Sequence, residues 1–133
     1  MARITMGLTV LDCPDPHALA AFYAAVLDWP VTPPPETLEA GPDSPDWVEL
    51  SGPHGRTLAF QRCEGHRPPD WPSTEVPQQL HLDLNVAPEE MDEAERQVLG
   101  LGARLLEGDD GGKRDFRVYA DPAGHPFCLC TCP

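Results

Sequence analysis

The sequence predicts an α+β fold in which two βαβββ modules form a curled mixed sheet around a cleft. Two observations carry that prediction. Strand-like and helix-like segments recur in the same order in both halves of the 133 residues. A Pro/Gly turn also recurs at fixed spacing: Pro53 and Pro122, Gly55 and Gly124, and Cys63 and Cys132 each stand 69 residues apart. The expected organisation is one domain over 1–133, with module one at 1–63, a connector at 64–77 and module two at 78–133.

The elements follow in order. Residues 3–11, RITMGLTVL, form an apolar, β-branched run that reads as a first strand. Asp15 and Pro16 supply an N-cap and a first helical position. The helix then runs from His17 to Leu27, with Leu19, Phe22, Tyr23, Val26 and Leu27 on one apolar stripe. Residues 30–46 are rich in Pro and Gly and read as irregular chain or an edge strand. Strands are expected at Trp47–Ser51 and Arg56–Cys63, with Gly52-Pro53-His54-Gly55 as the turn between them. In the second half, strands are expected over Gln79–Val86, Arg104–Glu107, Phe116–Ala120 and Pro126–Thr131. A helix is expected over Pro88–Leu99, with Glu89, Glu90 and Asp92 favouring its N-terminal end and Gly100 and Gly102 ending it. The opening strands of the halves are expected to align Leu8-Thr9-Val10 with Leu84-Asn85-Val86. Trp71 is the one large anchor in the connector, placed either to fold over the cleft or to pack at a subunit interface.

Composition excludes several roles. The chain carries 22 acidic and 9 basic residues, a net charge of −13. That balance repels phosphate backbones and anionic lipid surfaces, so neither nucleic acid nor membrane is an expected partner. It suits a cationic ligand, although it also serves plain solubility. No apolar run reaches the ~18 residues of a membrane span, and the N-terminus does not resemble a signal peptide, so a cytoplasmic location is expected. Five cysteines without a C-x-x-C pair argue for reduced thiols rather than a disulfide framework or a zinc knuckle.

Three passages resemble the vicinal oxygen chelate superfamily, which includes glyoxalase I, extradiol dioxygenases, bleomycin-resistance proteins and many glyoxalase-like domains. They are the opening strand and the helix ending AFYAAVLDW, the strand QQLHLDLNV, and the closing DPAGHPFCL. The resemblance covers nearly the whole chain and implies a homodimer. It also implies metal positions on the first and fourth strands of each module, which here read Thr5, Ala59, His81 and Cys128. Only His81 and Cys128 are plausible ligands, so no metal cofactor is expected.

Alternation along the strands assigns a cleft face. Gln79, His81 and Asp83 face it from the opening strand of the second half, and Cys128 from the last strand. Trp47, Glu49 and Gln61 face it from the first half, and Arg117 and Tyr119 complete the wall. An aromatic plate with amide, imidazole, carboxylate and guanidinium groups suits an organic ligand of moderate polarity. The first functional reading is a bleomycin-resistance-type protein that binds a cationic or aromatic small molecule. The alternative is a small lyase or isomerase in which Asp83 orients His81 as a general base. A structural hydrogen bond between those two residues, or mutual satisfaction among the cleft residues, competes with both.

Overall fold

The computed structural model describes residues 1–33 and 45–131. The backbone divides into two compact units, Met1–His66 and Arg67–Pro133. Most of the Pro-rich stretch expected to be irregular, and Cys132, lie outside the described residues. Among the described residues, no helix is long and apolar enough to cross a membrane.

In the first unit, strand β1 (Thr9–Cys13) leads into helix α1 (Pro16–Leu27), followed by β2 (Trp47–Ser51) and β3 (Thr57–Arg62). The sheet order is β1-β3-β2, with β1 parallel and β2 antiparallel to β3. β1 is shorter than expected. Its ladder begins where Thr9 meets Leu58, and the preceding residues, including Ile4 and Met6, stand exposed. An exposed β run without a neighbouring strand has water for its backbone partners and does not register as a strand. Asp15 caps α1 by accepting from the amides of His17 at 3.1 Å and Ala18 at 3.3 Å. Leu19, Phe22 and Tyr23 are buried, as are Leu50, Leu58 and Phe60 of the sheet. Tyr23 and Phe60 stack at 5.7 Å between ring centroids. Val31 bridges to Leu50, the edge position expected for the stretch that follows α1.

The second unit holds β4 (Leu82–Asn85), a 3-10 turn at Pro88–Glu90, α2 (Met91–Gly100), β5 (Arg104–Glu107), β6 (Phe116–Ala120) and β7 (Pro126–Cys130). Its sheet order is β4-β7-β6-β5, with only the β4–β7 pair parallel. The sheets are mixed and open, and the fold class is the α+β arrangement that the repeat predicts. Met91 and Val98 of α2 are buried, as are Tyr119 of β6 and Phe127 and Leu129 of β7. Tyr119 and Phe127 stack at 5.4 Å.

The ladders correct the alignment of the two halves. Ser51 pairs with Thr57 as Ala120 pairs with Pro126, which confirms the spacing of the turns. Val10 pairs with Ala59 as Asp83 pairs with Cys128. Val10 therefore corresponds to Asp83, and Leu8 rather than Thr5 corresponds to His81. Apolar pattern alone aligns the opening strands in the sequence, and it cannot distinguish registers among similar residues.

Candidate functional site

The chemistry of the second unit gathers where β4 runs beside β7. Parallel pairing sets Asp83 opposite Cys128, and cross-strand partners share a face. His81 stands two residues before Asp83 on that same face, just ahead of β4. Its Nε2 lies 3.3 Å from Oδ1 of Asp83. One ligating atom each from His81, Asp83 and Cys128 falls within 4.8 Å of the other two.

The group has a wet side and a dry side. The side chains of His81 and Asp83 are 44% and 59% exposed. Cys128 is buried in an apolar cluster with Val118 and Cys130, against which Trp71 and Leu106 pack. Trp71 thus packs on the sheet face that carries Cys128. Burial pushes the Cys128 thiol up to about 12, helped by the negative charge of Asp83 and by neighbouring Cys130. It is a neutral thiol near pH 7 and a poor nucleophile.

The other expected wall residues are distributed differently. Trp47, Glu49 and Gln61 share one face of the first sheet, with Trp47 opposite Gln61 and Glu49 opposite Ala59. The Trp47 indole donates to Glu49 Oε1 at 3.0 Å, so the two are already mutually engaged. Gln79 is exposed in the segment before β4.

Arg117 and Tyr119 lie on the opposite face from the one expected. Arg117 pairs with Leu129 and Tyr119 with Phe127, so both share the face of β7 that carries these buried apolar residues. There Arg117 donates to Asp109 at 2.8 Å, Glu95 at 3.0 Å and Asp92 at 2.8 Å. The Tyr119 hydroxyl donates to Glu95 at 2.9 Å. Burial, and then the Glu95 carboxylate, raises the phenol above its ordinary value. These residues tie α2 to its sheet and do not belong with His81 and Asp83. Alternation fixes which residues of β6 share a face but not which face, and that choice depends on the hairpin register with β7.

Two contributors were not recognised from sequence in their present roles. Asp83 was read as a partner for His81, and the parallel register adds it to Cys128 as a third donor. Trp71 was legible as an anchor, but not as a residue that packs on the Cys128 cluster.

Residues 8–130 match the family model described as a glyoxalase-like domain. Solved structures share the fold at low identity. A glyoxalase/dioxygenase from Nostoc punctiforme is 20% identical, with a TM-score of 0.68 and 97% of each chain covered. A fosfomycin resistance protein from Mesorhizobium loti is 14% identical at a TM-score of 0.68, covering 99% of this chain and 94% of that one. A glyoxalase/bleomycin resistance protein/dioxygenase family enzyme from Burkholderia phytofirmans is 16% identical at 0.67, covering 92% and 94%.

Proposed function

Because the chain belongs to the glyoxalase-like domain family, we propose that it binds a small organic molecule against Trp71 and the His81–Asp83 pair, as a metal-independent protein of the bleomycin-resistance type. The observation that carries this reading is the packing of Trp71 on the Cys128 cluster. It puts an aromatic ring on the cluster that contains Cys128, the residue paired with Asp83 across the strands. An apolar wall beside a few convergent polar groups is the usual composition of a ligand site. The net charge of −13 favours a cation, and a planar cation gains further from an indole face.

The metal implied by the superfamily resemblance does not fit the positions that would hold it. With the register corrected these are Leu8, Ala59, His81 and Cys128. Leucine and alanine offer no donor atom, so that four-position set fails in the first half.

Titration with a planar organic cation such as ethidium, read by tryptophan fluorescence, tests the binding reading. Saturable quenching is expected. Trp71→Ala and His81→Ala should each weaken it by about tenfold, a loss of about 1.4 kcal/mol, and in His81→Ala, whose side chain is exposed, with little change in melting temperature. Failure of ethidium and of a wider panel of cationic and aromatic compounds to saturate would sink the reading.

The contact between His81 and Asp83 favours one second reading, a lyase or isomerase. Asp83 would orient the imidazole while His81 takes a substrate proton. In that case Asp83→Asn lowers turnover while leaving affinity nearly intact. A binding protein shows affinity without turnover. A homodimer remains the proposed assembly, checked by light scattering on the eluting protein.

A further inference from the structure

We infer that the ligand of this site is a zwitterion with an apolar body, its cationic group held at Asp83 on β4 and its anionic group at Arg104 on β5. The inference rests on the binding reading above and extends it across the sheet of the second unit.

The ladders line up a row of side chains on one face. Asp83 pairs with Cys128, Cys128 with Val118, and Val118 with Glu107. Partners across strands share a face, so the row has a carboxylate at each end and an apolar floor between them. That floor belongs to the buried cluster of Val118, Cys128 and Cys130. A bulge between Leu105 and Glu107 adds Leu106, which packs on the same cluster. Three strand spacings of about 4.8 Å put the β4 and β5 margins about 14 Å apart.

The two margins differ in charge. At β4 stand Asp83 and His81, whose side chains are both exposed. At β5, Glu107 is neutralised by Arg114 at 3.0 Å. Arg104 stands opposite Ala120, which lies two residues along from Val118, so its side chain takes the same face. Arg104 is exposed, and the ion pairs among the described residues do not include it. One margin thus presents an exposed carboxylate and the other an exposed guanidinium.

A ligand that carries both charges satisfies both margins. Trp71 covers the floor between them and stays partly exposed, which gives the body of the ligand an indole to stack on. A simple cation uses only the β4 half of this arrangement. The net charge of −13 opposes a plain anion but does not penalise a zwitterion.

Three biphenyl probes test the inference. 4′-(Aminomethyl)biphenyl-4-carboxylic acid carries both charges, biphenyl-4-ylmethanamine lacks the carboxylate, and biphenyl-4-carboxylic acid lacks the amine. Each is titrated into the full-length chain by calorimetry at low ionic strength. The zwitterion is expected to bind about three- to fivefold more tightly than the amine, the gain of an exposed ion pair. Arg104→Gln should abolish that gain and leave the affinity for the amine unchanged. Arg96→Gln removes the same charge from α2, which packs on the other face of the sheet, and should leave the gain intact. Asp83→Asn should weaken the zwitterion and the amine alike and spare the acid. All three variants alter exposed side chains, so their folds should survive. A zwitterion no tighter than the amine, a gain that survives Arg104→Gln, or one lost equally in Arg96→Gln would overturn the inference, while saturation by the amine or by ethidium keeps the binding reading. Failure of all these compounds to saturate removes both.

Discussion

Gly124 stands where a side chain has no room. Its φ is +90°, in the left-handed region, and an added Cβ would run into the ring of Pro68. The turn around it is held by Asp121, a buried carboxylate whose Oδ1 accepts from the amides of Ala123 at 2.9 Å and His125 at 3.0 Å. The motif DPAG was legible as a turn because Asp, Pro and Gly each favour one. What the turn supports was not legible, since Pro68 lies far away in sequence. Gly124→Ala should destabilise the protein by about 2 kcal/mol or more, combining backbone strain with the clash. Asp121→Ala should cost about 1–3 kcal/mol by leaving those amides without their acceptor. Both are read as shifts in denaturant midpoint. A midpoint unchanged in Gly124→Ala would mean that Pro68 moves aside freely.

At the scale of elements, strands and helices were located more reliably than their faces. Trp47–Ser51, Arg104–Glu107 and Phe116–Ala120 appear with the expected bounds, because periodicity and flanking turns determine where an element lies. The face of β6 was misassigned, and Arg117 moved from the expected ligand wall to the contact with α2. Its guanidinium is 13% exposed and meets three carboxylates. Arg117→Met should cost about 2–3 kcal/mol, since Glu95 and Asp109 would be left partly buried without their cation. The same contact sets a pH dependence. The Arg117 guanidinium holds the Asp109 carboxyl below its ordinary value. A carboxyl lowered on folding adds stability above its unfolded value, near 4, and that stability is lost as pH falls through the lower folded value. Asp109→Asn should therefore melt earlier than the parent at pH 5–8 by a constant margin, and the margin should shrink below about pH 4. The amide still offers an Oδ1 to Gly112, whose backbone N–H donates to Asp109 at 3.2 Å, but its Nδ2 replaces the oxygen that accepts from Arg117 Nε, so the change removes that hydrogen bond together with the charge. A margin that widens in acid would contradict the assignment.

Across the whole molecule, duplication was the most legible property, because the recurring turn depends on residue types that only a few backbone shapes accept. The register of the opening strands was less legible, since runs of leucine and valine look alike when shifted. The net charge of −13 is a property of the same scale, spread over both halves. Charge of one sign opposes the compact state through self-repulsion. Ion pairs act the other way, but most of those described, such as Arg62 with Asp46 and Glu64, involve exposed groups whose attraction is weak. Repulsion should therefore dominate the response to salt. Screening falls from a range of about 30 Å at 0.01 M to about 8 Å at 0.15 M. Sodium chloride over that interval should thus stabilise the protein by about 1 kcal/mol, a rise of about 3–5 °C in melting temperature. Arg117→Met removes one positive charge and makes the net charge more negative, so its melting temperature should climb more steeply with salt than the parent's. A melting temperature that falls with salt in the parent but not in Arg117→Met would show instead that the Arg117 contacts outweigh the repulsion of the rest of the chain.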